Sequence, residues 1–447
     1  MDCTLGTVVP PATSANRIVA GAGSRAANSP GRGNGRGVIL HALFLIHRYP
    51  PARGGSERFV QEMARRLVAE GHRATVYTSD LLDVAGFWRR GAARLPARAV
   101  GQVSNLSNIF EQDQGVRVHR FRARVLPLHG AISRALGLIP WPPIGLTMAP
   151  PGLVLPGLWR AVRAGSDFDL VHASAYPSPL YLGAVAARRA NARLVLMPCS
   201  HPSAKRDFGN LERLYRQADA LLALPPWEEQ MFLQMGVPAE RIHVVGAGVN
   251  PAEARDADGD RFRRRFGLPP DAPLIAFIGH KTAGKGALYL LDAAQALLAD
   301  RPDLFLALVG AATPEFTRRC RALPPALRER VLDLRLAEAE KHDLLAACST
   351  LVLPSREDSF GIVLLEAWLH GKPVIGAQAG GIPHVIEEGE TGLLVPWGDT
   401  AALAQAIAQL LDHPTQAAQM GARGREQTLQ RWTWDAVYER VRRAYAG

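Results

Sequence analysis

Residues 353–399 read LPSREDSFGIVLLEAWLHGKPVIGAQAGGIPHVIEEGETGLLVPWGD, and this stretch decides the fold. An apolar strand ends at Pro354 or Ser355. A loop carrying Asp358, Phe360 and Gly361 then enters the apolar helix GIVLLEAWLHG, and KPVIGA returns to a strand. Asp358 and Glu366 are eight positions apart, a little over two turns at about 3.6 residues per turn. Asp358 therefore lies at the helix mouth and Glu366 one or two turns deeper. One carboxylate can accept from sugar hydroxyls and the other from ribose hydroxyls. The unspent N–H groups near Gly361 and Ile362 can receive a phosphate.

The same alternation runs outward in both directions. PLIAFIGH, LFLALVG and STLVLPS read as buried strands, with GALYLLDAAQALLA and KHDLLAAC as helices between them. This series begins after the polar segment NPAEARDADGDRFRRRFGLPPDAP. Upstream, VILHALFLIH reads as a strand covered on both faces. RYPPARGG follows and cannot continue it. SERFVQEMARRLVAEGH then places Phe59, Met63, Leu67 and Val68 at helical spacing, with Gly71 as the stop. RATVYTS, FDLVHAS, ARLVLMP, DALLAL and RIHVVGAG continue as strands. The prediction is an α/β chain of two Rossmann-like, doubly wound sheets facing a central cleft. Its expected parts are a flexible tail at 1–37, a first domain at 38–250, a second at 251–430 and a terminal segment at 431–447. The apolar, proline-rich stretch 125–159 is expected as an insertion packed on the first domain, in preference to a cover over an acceptor groove.

Composition narrows the class. The 447 residues are 47% hydrophobic and 21% charged, which excludes a disordered chain, a coiled coil and a collagen-like fibre. The net charge of +11 suits a phosphorylated substrate, an anionic membrane face or nucleic acid without choosing among them. A contiguous basic helix or aromatic-basic strand signature is missing, so no nucleic acid is expected. Cys3, Cys199, Cys320 and Cys348 form no CxxC pair, which argues against a disulfide scaffold and a zinc site. Cys348 reads as a small buried residue. No apolar run reaches the roughly 18 residues of a membrane span, and the N-terminus lacks a signal-peptide pattern. The expected location is cytoplasmic, either free or peripheral at the inner membrane face.

Two further segments carry chemistry. In PARGGSERF, Gly54 and Gly55 stand between a strand and a helix, where they allow a tight turn and close approach to a phosphate. In IGHKTAGKGALYLL, Lys285 precedes Gly286 at a helix start, the place for a diphosphate clamp. The segment lacks the Ser/Thr of a P-loop. Lys281 is expected nearby and facing solvent.

Together these motifs resemble the family 4 retaining glycosyltransferases of the GT-B fold, over about residues 38–446. The family's E-x7-E appears here as D-x7-E. FGIVLLEAWLHGKPVI, GGIPHVI, GETGLLV and the Gly-Gly followed by Glu57 stand in the family's order. The resemblance implies a nucleoside diphosphate sugar, UDP- or GDP-linked, bound mainly to the second domain, and a hydroxyl acceptor bound mainly to the first. It implies Lys285 on the diphosphate, Asp358 near the donor sugar and Glu366 on the ribose. The usual arginine five positions before Lys285 falls at His280, and Lys281 takes its place if the loop shifts by one. His384 stands where many members carry glutamate and is given no role. The family's cleft histidine aligns with VLMPCSHPSAKRDFG, with Cys199 at the first histidine position and His201 at the second. His201 is the suspected catalytic residue, against an ordinary loop histidine. His172 is expected to be packed. A terminal helix anchored by Trp432 and Trp434, with Val437, Val441 and Tyr445 as its apolar stripe, would cross back to the first domain.

The implied reaction transfers a sugar with retention, without metal or cofactor, the leaving diphosphate activating the acceptor. The acceptor is lipid-linked, as in glycolipid or polysaccharide synthesis, or a free sugar or small metabolite. The alternative is a catalytically inactive nucleotide-sugar-binding protein.

Overall fold

The apolar run at the start of the first series forms β1 (His41–Leu45), whose inner residues are almost wholly buried. A computed structural model describes residues 39–82, 93–95, 108–125, 153–165, 167–175, 178–200 and 208–447. Following β1 come β2 (Arg73–Ser79), β3 (Asn108–Asp113), β4 (Val116–Phe121), β5 (Arg124–Val125), β6 (Leu153–Val154), β7 (Leu170–Ser174), β8 (Arg193–Met197), β9 (Ala220–Ala223) and β10 (Ile242–Val244). Eight of these form one sheet in the order β10-β9-β8-β7-β1-β2-β4-β3. It is parallel except for the antiparallel pair β3–β4. β5 pairs with β6 as a short antiparallel ladder. Most of the apolar stretch 125–159 lies outside the described residues, which resume at β6 and the helix Pro156–Ala164. The expected tail at 1–37 lies outside them as well.

The second sheet holds β11 (Leu274–Ile278), β12 (Phe305–Val309), β13 (Val331–Leu334), β14 (Thr350–Leu353), β15 (Val374–Ala377) and β16 (Gly392–Val395). Its order is β13-β12-β11-β14-β15-β16, all parallel. Counted along the chain this is the doubly wound order 3-2-1-4-5-6. The parallel strands need helical crossovers, and the apolar spacing supplies them. The helix Gly55–Ala69 buries Phe59, Met63 and Leu67, and Ala287–Asp300 buries Leu290, Leu291, Ala294 and Leu298. The polar segment before the second series is more ordered than its composition implies. It contains the helix Gly259–Phe266, capped by Asp258 and fastened by the single buried ring of Phe262. One apolar anchor is too sparse to show as periodicity.

The chain passes twice between the sheets, and the two passages lie side by side. Val249 N donates to Trp432 O at 2.8 Å, and Trp434 N donates to Val249 O at 3.1 Å. The terminal helix Trp434–Ala446 then buries Trp434, Val437, Val441 and Tyr445 against the first sheet and its helix Gly55–Ala69. Trp434 meets Phe59 edge-on at 5.8 Å. The Tyr445 hydroxyl lies 2.6 Å from His172 Nδ1. His172 is fully buried, and burial alone pulls its pKa down to about 3, so it packs as a neutral ring. No helix of the described residues is long and apolar enough to cross a membrane.

Trp434 fills the junction between the linker and the first sheet. W434A is expected to cost about 3–5 kcal/mol, the usual range for deleting a buried aromatic side chain. A urea denaturation midpoint close to that of the wild type would show that the junction is not a stability determinant.

Candidate active site

β11 and β14 are neighbours, with Ile275 opposite Thr350. The chain leaves β11 towards one edge of the sheet and β14 towards the other, so their crossovers diverge onto opposite faces. The crevice beyond their carboxyl ends is where doubly wound sheets hold ligands. Two loops line it, 279–286 and 354–361. Arg356 N donates to Gly284 O at 3.1 Å, tying the loops together. Gly286 has φ 79°, and a Cβ there would lie 2.0 Å from Pro354 O, so only glycine fits the junction.

This clasp brings Lys285 and Asp358 into contact. Lys285 Nζ donates to Asp358 Oδ1 at 2.9 Å, and both side chains are only partly covered. Gly381 N in turn donates to Asp358 O at 2.8 Å, so the GGIPH turn supports the loop from behind. Gly361, at φ 84°, opens the helix Ile362–Leu369 without a side-chain cap. The amides of its first turn and its positive dipole end therefore face the crevice beside the Lys285–Asp358 pair.

Glu366 lies in the second turn of that helix. Its Oε1 accepts from Lys341 Nζ at 2.7 Å. Lys341 also pairs with Glu338. Burial pulls the ammonium's pKa down, but Glu366 and Glu338 outweigh it and hold Lys341 above the usual lysine range. Lys341 belongs to the helix Glu338–Ala347, and nothing in the sequence spacing pointed to it.

Two expected side chains are placed elsewhere. Lys281 does not face solvent: it is fully buried. Its backbone continues the β12 edge, with Lys281 N donating to Ala311 O at 2.8 Å. That directs the ammonium beneath the strand ends. There it pairs with Asp333 and donates to Leu308 O at 3.1 Å and Leu334 O at 3.3 Å. It is a brace of the sheet and does not stand in for the arginine that the loop lacks. His280 is exposed. Phe360 is buried, its ring edge-on to Trp432 at 5.1 Å, and so packs against the crossover segment.

The first domain meets this crevice through its Gly-Gly turn. Gly54 lies under the Glu57 carboxylate, which pairs with Arg48 at 2.5 Å. A Cβ on Gly55 would come within 2.9 Å of Ile362 Cδ1, so the N-termini of the two helices approach closely. Arg53 Nη1 donates to Leu336 O at 2.9 Å, and Ser359 Oγ donates to Ser200 O at 3.2 Å. His201 lies outside the described residues. Its neighbour Cys199 has φ 55°, and burial followed by Glu228 and Glu57 pushes its thiol pKa up, so it is an unreactive thiol. Beneath this turn, the buried Glu228 accepts from Ser200 N at 2.6 Å and Leu224 N at 2.7 Å.

Comparison with known proteins places this architecture. Residues 54–248 match the glycosyl transferase 4-like domain, and residues 258–427 match glycosyl transferases group 1. The chain is 32% identical over 321 residues to D-inositol 3-phosphate glycosyltransferase of Streptomyces bingchenggensis, covering 65% of this chain and 69% of that one. It belongs to the group 1, family 4-type glycosyltransferases. This glycosyltransferase is also 29% identical over 419 residues to D-inositol 3-phosphate glycosyltransferase 1 of Catenulispora acidiphila, covering 88% and 90% of the two chains. Its fold is GT-B. The HepE protein of Anabaena, solved with UDP-glucose, superimposes with TM-score 0.69 at 22% identity, over 91% of this chain and 99% of that one.

Glu228 gives the glycosyltransferase a readable pH signature. Burial raises its pKa from 4.5 to about 7, against the two backbone amides that lower it. Between those values the folded chain keeps a proton that the unfolded chain releases. Stability is therefore lost as pH rises through this window, by about 1.4 kcal/mol per unit at most. E228Q should remove this contribution. Parallel stability curves for wild type and E228Q across that window would refute the buried, protonated carboxyl.

Proposed function

We propose that this glycosyltransferase moves a sugar from a nucleoside diphosphate sugar to an acceptor hydroxyl with retention of configuration. The observation that carries the reading is the Lys285–Asp358 contact at an uncapped helix N-terminus, with Glu366 in the second turn of that helix. The parts match the chemical demands of the reaction. The departing diphosphate gains negative charge, and Lys285 with the amides at Gly361 and Ile362 stabilises it. Asp358 holds the Lys285 ammonium at 2.9 Å. An entering diphosphate takes over that ammonium and frees Asp358 for the donor sugar's hydroxyls. Glu366 accepts from the ribose. Gly54 and Gly55 let the first domain close to backbone distance over the donor.

His201 follows the Cys199–Ser200 turn and orients the sugar or the acceptor. The leaving phosphate takes the acceptor proton, so the step needs no protein nucleophile. The donor is a UDP- or GDP-sugar. Because the relatives are D-inositol 3-phosphate glycosyltransferases, D-inositol 3-phosphate is the first acceptor to test, beside free sugars and lipid-linked acceptors. A catalytically inactive nucleotide-sugar binder would share the donor site and lack turnover.

The test joins binding to turnover. E366Q should weaken UDP or GDP binding about tenfold or more, since a hydrogen bond to a charged group contributes about 1.5–3 kcal/mol. K285A should lose affinity for the diphosphate far more than for the free nucleoside. Product mass spectrometry on a panel of UDP- and GDP-sugars should give one preferred donor, and NMR of that product an anomeric configuration matching the donor's. Unchanged nucleotide binding in both variants would remove the donor site. Tight binding with no product across donors and acceptors would leave the inactive binder.

A further inference from the structure

Glu366 does not present a bare carboxylate to the crevice. Lys341 Nζ sits 2.7 Å from its Oε1, with both side chains mostly covered. Glu366 Oε2 makes no hydrogen bond among the described residues. The ammonium is anchored on its other side by Glu338, whose own side chain is half exposed. Two carboxylates around one ammonium keep it charged, as the upward shift of Lys341 records. The group open to a ligand is thus an acceptor oxygen beside a donor.

That pattern complements a vicinal diol. Each hydroxyl is both donor and acceptor, and two adjacent ones can satisfy a carboxylate oxygen and an ammonium at once. A carboxylate alone would have to take both hydroxyls as donors. We propose that Lys341 and Glu366 act as a dyad that reads the two ribose hydroxyls of the nucleotide, one donating to Glu366 Oε2 and its neighbour accepting from Lys341 Nζ. The inference rests on the ribose position proposed for Glu366. It adds a second nucleotide-binding residue, on a different helix from the D-x7-E motif.

A mere strut is the competing role, since Lys341 also links the helix Glu338–Ala347 to Ile362–Leu369. A strut would affect every nucleotide alike, whereas a dyad discriminates by hydroxyl. The experiment is calorimetric titration of the wild type, K341M and E366Q with UDP, 2′-deoxy-UDP and 3′-deoxy-UDP, or with the GDP series if GDP binds tighter. Methionine keeps the unbranched stem and removes the ammonium. The wild type should lose about tenfold in affinity for each hydroxyl removed. K341M should bind UDP about tenfold more weakly than the wild type, yet match it for one of the two deoxynucleotides. E366Q should match the wild type for the other.

Equal weakening of all three nucleotides in K341M, or no weakening at all, overturns the dyad. If E366Q weakens UDP while K341M shows no hydroxyl dependence, Glu366 keeps its ribose role and only the Lys341 inference falls. If E366Q leaves all three nucleotides unchanged, the ribose position itself is wrong, and the dyad falls with it.

Discussion

The structure depends on one constraint, the divergence of chain direction between the adjacent parallel strands β11 and β14. Because the crossovers after them go to opposite faces, a gap opens at their carboxyl ends. The loops 279–286 and 354–361 must border that gap and still stay in register with each other. Backbone contact does this: Arg356 N on Gly284 O, and the Pro354 carbonyl pressed against Gly286 where a Cβ would stand. Lys285 and Asp358 are each within three residues of that clasp. Their contact is a consequence of the sheet order, and the helix N-terminus beside them is a consequence of the same crossover.

Charge is then managed pair by pair around the gap. Arg48 holds Glu57, Lys285 holds Asp358 and Lys341 holds Glu366. A partly buried ion pair contributes little net stability, while stripping one member leaves the other uncompensated. Such a pair can exchange one member only for a group of the same charge. Lys281 shows the contrasting use of the same residue type. Enclosed by Asp333 and two backbone carbonyls, its charge is fully committed within the sheet. It lies four positions from Lys285, on the β12 side of the turn.

The sequence made legible what local periodicity encodes. Apolar runs marked the strands of both sheets, the spacing of Phe59, Met63 and Leu67 marked the first helix, and D-x7-E put Asp358 and Glu366 on one helix entrance. The direction of a single side chain leaving a strand end is not periodic, so Lys281 read as solvent-facing when it is buried. Phe360 sits inside the D-x7-E segment, but its ring answers to Trp432, a partner 72 positions later that only the crossover brings near. The Lys341–Glu366 pair spans 25 positions and two helices, and neither residue type nor spacing announces it. His201 and residues 126–152, which carry the histidine expectation and most of the insertion, lie outside the described residues.

The two passages between the sheets hold the two domains together at one buried junction. At the crossing, Val249 is pinned between Trp432 and Trp434 by two backbone hydrogen bonds, and Trp434 is buried against Phe59. At the mouth, the contacts are of another kind: Ser359 on Ser200 O, Arg53 on Leu336 O, and Gly55 against Ile362. Each of those polar contacts is worth about 1 kcal/mol net and can be exchanged for water. The buried junction cannot, because separating it would expose Trp434 and orphan backbone groups. The crossing is therefore the fixed element between the two domains, and the mouth contacts are the exchangeable ones. Phe59 and Phe360, each within four residues of a mouth contact, pack on Trp434 and Trp432, so the exchangeable contacts stand beside the fixed junction.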